Sequence, residues 1–204
     1  MTDRETLAHE YEARISVLRT IRDRLEQITR DALTIPHVDR IDFRVKDTTS
    51  FVTKALTRNE PDFQYTAPLH QIEDQVAGRI LVLFRSDLDP ARDCLTHVFG
   101  EMEFVRKEPS SPSEFGYESD HFIFAIPAHL RPEGWSERFD VPTTFEMQVR
   151  TLFQHAWAEP QHDIGYKGND LTDETRRELA WIASSAWGAD FTLERVRRRI
   201  AGEK

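Results

Sequence analysis

The chain has 204 residues, 39% of them hydrophobic and 31% charged, with no low-complexity run, a length that supports one well-buried core. Its formal net charge of −9 weighs against a protein that grips long nucleic acid, which ordinarily presents a net basic face. A single cysteine, Cys94, excludes an internal disulfide and a cysteine zinc site and fits a reduced cytoplasm, and no apolar run reaches the ~20 residues of a membrane span.

The opening Met-Thr-Asp-Arg-Glu moves straight into a charged helical pattern rather than an apolar signal core. Thr2-Asp3-Arg4-Glu5 has the spacing of a capping box. Leu7, Tyr11, Ile15, Leu18, Ile21, Leu25 and Ile28 then recur at steps of three and four, predicting one long helix within residues 1–35. Its stripe can pack on the chain's own sheet or, being nearly heptad, on another subunit.

Four segments with strand character follow. Ile41, Phe43 and Val45 alternate with Asp42, Arg44 and Lys46. Ile80 to Phe84 is a continuous apolar run, as in a strand covered on both faces. Phe122 to Ile126 is another, stopped by Pro127, and Phe145, Met147 and Val149 alternate with Glu146, Gln148 and Arg150. Between the second and third, Asp89, Pro90 and Gly100 punctuate a helix, with Asp89 as its cap. The segment from Glu108 to Gly116, with two prolines and three serines, reads as a loop. A helix from about Thr151 to Lys167 is expected to kink or break at Pro160, and a second runs from about Asp173 to the end. About five strands mixed with helices make an α/β (α+β) domain, read as a single unit over 1–204 with a core over 40–168 and a C-terminal helix over 172–204.

Alternation supplies the chemical signal. Glu146, Gln148 and Arg150 share one face of their strand, and Arg44 and Lys46 share a face of theirs. Either pattern alone could be a wet strand face; together with Asp74, just ahead of the buried run, they suggest a common cleft. Glycine-rich phosphate loops are absent, so any phosphate would have to be met by Arg and Lys side chains and a helix start, which the run from Arg44 through Ser50 to Lys54 supplies. His155, Glu159 and His162 fall on one helical face without the spacing of zinc hydrolases, and read as structural, as Trp157 and Trp181 read as core. The cluster Arg195 to Arg199 reads as a basic helix end favoured by the macrodipole.

Taken in order, these residues fall into longer motifs: Arg44-x-Lys46-x-x-x-Ser50-x-x-x-Lys54; Ile72-Glu73-Asp74 with Arg79-Ile80; Gly116-Tyr117-x-Ser119-x-His121; and Glu146-x-Gln148-x-Arg150-Thr151-x-x-Gln154-His155-Ala156-Trp157-Ala158-Glu159, continuing to His162-Asp163 and Tyr166-Lys167. The ordered set resembles the synthetase domain of RelA/SpoT-type alarmone synthetases, particularly the small single-domain members. The resemblance implies a nucleotidyltransferase-like mixed sheet flanked by helices, and transfer of the β,γ-pyrophosphate of ATP to the 3′-hydroxyl of GDP or GTP. It also implies that Arg44 and Arg79 stack on adenine; that Lys46, Ser50 and Lys54 hold the ATP phosphates; and that Asp74 and Glu146 bind Mg²⁺, Glu146 acting also as a base. Tyr117 would stack on the acceptor base, His121 would steady the acceptor's phosphates, and Gln148 and Arg150 would orient Glu146 or contact the acceptor. Small members of the family often form homo-oligomers, so a dimer or tetramer through the helical ends is implied as well. Two other outcomes stay open: a toxin-type relative that modifies the tRNA 3′ end or an adenosine nucleotide, against whose tRNA form the charge of −9 counts, and an inactive nucleotide-binding module.

Overall fold

The computed structural model describes residues 4–59, 62–107, 109, 111, 114–115, 119–131, 135, 142–165 and 171–203. Along the chain run α1 (Arg4–Glu12), α2 (Ile15–Ala32), β1 (Val38–Val45), α3 (Thr48–Ala55), a ribbon of β2 (Arg58–Asn59) and β3 (Asp62–Phe63), α4 (Pro68–Gln71), β4 (Val76–Val82), α5 (Leu88–Phe99), β5 (Glu101–Lys107), β6 (Ser119–Ala125), β7 (Thr144–Thr151), α6 (Leu152–Gly165) and α7 (Asp173–Ala201).

The N-terminal stripe is divided between two helices rather than one. Neither Ala13 nor Arg14, at the break, is a helix breaker, so packing decides the division. Leu7 and Tyr11 are buried where α1 meets α3, whereas Leu18, Ile21 and Leu25 are buried where α2 meets β1. Tyr11 lies flat on Phe51, the ring centroids 3.9 Å apart. The stripe therefore serves the chain's own core. Thr2 and Asp3 of the expected capping box lie outside the described residues.

The five-stranded sheet has the order β1-β4-β7-β6-β5, and its β4–β7 pair is parallel while the others are antiparallel. On one face Ile41, Phe43, Ile80, Phe122, Phe124, Phe145, Met147 and Val149 form the core, with α2 and α5 packed against the sheet. At Gly78 a Cβ would come within 2.7 Å of the Met147 and Phe43 side chains, so glycine lets those two pack across the centre of the sheet. The alternation of β-structure sends Arg44, Arg79, Glu146, Gln148, Arg150 and His121 to the opposite face. The fifth strand, β5, follows directly on Gly100, whose φ of +68° ends α5. This strand is an edge, and its charged Glu103, Arg106 and Lys107 suit that place.

Two local expectations are corrected, and a third, a kink or break at Pro160, is met by no break. Helix α5 begins at Leu88 behind a short 3₁₀ turn, Arg85–Asp87, so Asp89 stands in its first turn and does not cap it. Helix α6 continues through Pro160; Ala156, whose carbonyl loses its partner, is exposed, so water can take that bond. Trp181 is 73% exposed on α7 instead of lying in the core, whereas Trp157 is buried as expected. The junction of β7 and α6 is a reciprocal capping box: the Thr151 N–H donates to Gln154 Oε1 (2.9 Å), and the Gln154 N–H donates to Thr151 Oγ1 (3.1 Å). Of the expected loop, 109, 111, 114 and 115 fall within the described residues and the rest outside them.

Candidate active site

The cationic side of the open face is built where β1 turns into α3. Asp47 caps α3 by accepting from the Ser50 N–H (2.9 Å), which sets Lys46 at the end of the strand and Lys54 on the second turn of the helix. Both lysines donate to one carboxylate: Lys46 Nζ to Asp74 Oδ2 (2.8 Å) and Lys54 Nζ to Asp74 Oδ1 (3.0 Å). Asp74 is held by its neighbour. The buried Gln75 donates through Nε2 to the Leu69 and Ile72 carbonyls, and its own carbonyl accepts from the Lys46 N–H. On the other side the Tyr11 hydroxyl donates to the Lys46 carbonyl (2.8 Å). Burial would lower the Lys54 pKa, but the negative charges of Asp74 and Glu146 and the bond to Asp74 outweigh it and hold the ammonium above its ordinary value. Ser50 is exposed on the same helix.

On β7 the polar residues are joined in a line. Glu146 Oε1 lies 2.6 Å from His121 Nδ1 on β6 and accepts from Gln148 Nε2 (2.9 Å). Gln148 Oε1 accepts from Arg150 Nη2 (2.6 Å), and Arg150 Nε donates to Ser119 Oγ (3.0 Å). Burial would raise the Glu146 carboxyl, but its hydrogen bonds to His121 and Gln148, with the charges of His121 and Lys54, win and bring its pKa down to about 2. Glu146 is therefore an ionised acceptor at neutral pH. Arg106 does not join this face: it is opposite Asp120 in register and clasps that carboxylate with two bonds (2.7 and 2.9 Å).

Between β1 and β4 a cleft of about 470 Å³, open to solvent, is lined by Asp42, Phe43, Arg44, Ala77, Gly78, Arg79, Gln148 and Glu159. Arg44 is exposed, with no ion-pair partner among the described residues. Arg79 is anchored by its Nη1 to Glu159 Oε1 on α6 (2.9 Å), and its Nε is buried without a hydrogen-bond partner among the described residues.

The structure thus gathers Arg44, Lys46, Ser50, Lys54, Asp74, Arg79, His121, Glu146, Gln148 and Arg150 on or beside one face of the sheet. Tyr117 and its neighbour Gly116 lie outside the described residues, as do Tyr166, Lys167 and the side chains of His162 and Asp163. His121 meets Glu146 directly, a contact the sequence pattern did not anticipate. Three further residues were missed as parts of the site: Ser119, which ends the line from Glu146; Tyr11, which pins Lys46; and Glu159, which the helical spacing had grouped with structural histidines. Ser119 and Glu159 left a trace in the sequence, Ser119 in the motif it shares with Tyr117 and His121 and Glu159 at the end of the motif that begins at Glu146.

Among the described residues no three of His, Cys, Asp and Glu converge as a metal cage made of protein alone. Asp74 and Glu146 both act electrostatically on the Lys54 ammonium, so the space between them is one where positive charge is favoured. One or two carboxylates completed by substrate phosphates is the usual way magnesium is held, and this donor set fits it.

A mixed sheet presenting cations and carboxylates on one open face defines an α+β protein equipped for phosphate chemistry. The chain belongs to the RelA/SpoT family: the family model described as the region found in RelA / SpoT proteins matches residues 43–171. Among relatives in Bacillus subtilis (strain 168), GTP pyrophosphokinase YjbM is 26% identical over 165 residues, which is 77% of this chain and 71% of that protein. GTP pyrophosphokinase YwaC is 28% identical over 159 residues, covering 77% of this chain and 72% of the relative. The crystal structure of the small alarmone synthetase 1 from Bacillus subtilis superposes with a TM-score of 0.78 at 19% identity, over 95% of this chain and 98% of that one, and supports the fold.

Proposed function

We propose that this protein is an ATP-dependent nucleotide 3′-pyrophosphokinase that makes (p)ppGpp from GDP or GTP. The observation that carries the reading is the pairing of two unlike halves on one sheet face, a lysine-bound Asp74 and a hydrogen-bonded, ionised Glu146, with Lys54 in the field of both. Membership of the family and the names of the relatives support it.

In this reading Arg44 and Arg79 take the two faces of the adenine, and Lys46, Ser50 and Lys54 take the phosphates. Asp74 gives up its lysine bonds to the incoming polyanion and, with Glu146, holds Mg²⁺. When bound, that ion offsets the phosphate charge that would repel the attacking oxygen. The acceptor lies on the β7–β6 side, with Tyr117 on its base and His121 near its phosphates. Its 3′-oxygen bonds to the β-phosphorus of ATP, the bond from that phosphorus to the α,β-bridging oxygen breaks, and AMP leaves. Glu146 receives the hydroxyl proton. With a pKa near 2 it is a weak base, and its first task is to hold charge and orientation at the reacting end.

The catalytic unit is taken as residues 40–168, working in the cytoplasm. The exposed apolar side of α7, including Trp181, Ile182 and Ile200, supports a homodimer or homotetramer. Light scattering on the parent and on Trp181→Asp checks the assembly. Labelled ATP with Mg²⁺ and a panel of GDP, GTP, ATP and tRNA checks the reaction. Labelled (p)ppGpp is the expected product, and absence of transfer to every acceptor overturns the reading.

A further inference from the structure

Glu159 is a charged residue of this face to which no role has been assigned. Its Oε1 lies 2.9 Å from Arg79 Nη1, 3.5 Å from His155 Nδ1 and 3.7 Å from Arg150 Nη1. All three of these contacts are made through Oε1, and the side chain is 52% exposed at the cleft it shares with Arg44 and Arg79. Apart from the carboxylates Glu159 and Asp42, the polar side chains lining that cleft are either donors or already committed. The guanidinium groups only donate, and the Gln148 amide spends its nitrogen on Glu146 and its oxygen on Arg150. Asp42 is exposed beside Arg40, 3.9 Å away. Of the two carboxylates at the cleft, Glu159 is the one ion-paired with Arg79, which leaves its Oε2 as the acceptor beside that guanidinium.

We propose that Glu159 selects the base of the donor nucleotide: Oε1 fixes the plane of Arg79 against the base, and Oε2 accepts a hydrogen bond from the 6-amino group of adenine. The proposal rests on the reading that the Arg44–Arg79 cleft takes the base. A 6-oxo purine turns a carbonyl oxygen toward the same carboxylate, so two acceptors face each other and neither recovers the bond it gave up to water. Guanine could answer with its N1–H and 2-amino group, but that two-point match needs both carboxylate oxygens, and Arg79 already holds one.

The test is equilibrium binding, by calorimetry with Mg²⁺, of the α,β-methylene analogues of ATP and ITP, which report affinity without transfer. The parent is expected to bind the adenine analogue at least about tenfold more tightly than the hypoxanthine one, the equivalent of one hydrogen bond between correctly paired groups. Glu159→Gln, whose amide can donate to a 6-oxo group, is expected to bring the ratio close to unity. Its melting temperature should stay at the parental value, because the side chain is half-exposed. If the parent does not discriminate, or if Glu159→Gln keeps the parental ratio while Arg79→Ala abolishes binding, base selection by Glu159 is overturned and, in the second case, the cleft remains the base site. If Arg79→Ala binds the adenine analogue as the parent does, the base-site reading fails and the proposal with it.

Discussion

On the β1–β4 side of the sheet, Arg44, Lys46, Lys54 and Arg79 accompany Asp74, which both lysines hold, with Asp42 and Glu159 at the more exposed cleft beyond. On the β7–β6 side a single carboxylate, Glu146, heads a chain of bonds through Gln148 and Arg150 to Ser119. The first half has cations in excess, and they can exchange Asp74 for phosphate oxygens. In the second, Glu146 Oε1, the Gln148 amide and Arg150 are bonded one to the next, so its geometry is set before any ligand arrives. A mobile polyanion and a reacting hydroxyl make these opposite demands: long side chains suit the former, and preorganised dipoles suit the latter.

The largest effect should come from the head of the ordered half. Glu146→Gln is expected to lower kcat by roughly 10²–10⁴-fold with ATP-analogue affinity little changed, as read by steady-state rates beside calorimetry. On the cationic half, Lys54→Met should lower kcat/KM for ATP by about 10–100-fold, the loss of a charge-assisted contact, and leave the acceptor's KM alone. An equal rise in both KM values would dissolve the division between the halves. Arg150→Lys should act on the ordered half, because an ammonium cannot reproduce the fork that reaches both Ser119 and Gln148. A loss of about 1–3 kcal/mol in urea unfolding and a raised acceptor KM are expected.

Smaller effects probe what braces each half. Tyr11→Phe keeps the stack on Phe51 but strands the Lys46 carbonyl, so a loss of about 1 kcal/mol and a modest rise in KM for ATP alone should follow. The ordered half is braced by α7, where Asp190 accepts from Thr151 and Arg85, and Glu194 accepts from the Ser86 N–H. Burial would raise the Glu194 carboxyl, but bonds from Arg198, Ser86 and Arg197 bring its pKa from 4.5 to about 2. The unfolded chain then binds the proton more readily than the folded one. This contribution is complete above pH 4.5 and is lost as pH falls toward 2. Glu194→Gln should show a shallower fall in urea midpoint across that window than the parent.

Much of the scaffold was legible because strands announce themselves by period. Phe145 to Arg150 and Ile41 to Lys46 alternate cleanly, and that alternation alone sends Glu146, Gln148, Arg150 and Arg44 to a common side. Edge strand β5 was not among the segments recognised, since an edge buries little and Met102 and Val105 stay exposed. The break between α1 and α2 left no mark either, because no Gly or Pro makes it; the two target surfaces do.

By itself, then, the sequence determined which residues carry charge, which face of each strand they occupy and the family to which their order belongs. Those properties are local, fixed by backbone period and side-chain type. Only the tertiary structure decided which charges meet: Asp74 with both lysines, Glu146 with His121, and Glu159 with Arg79 across 80 positions of chain. Such pairings depend on strand order and on where α6 returns over the sheet. A parallel β4–β7 neighbour pair, with two other strands intervening in sequence, is what lays the cationic half against the ordered one.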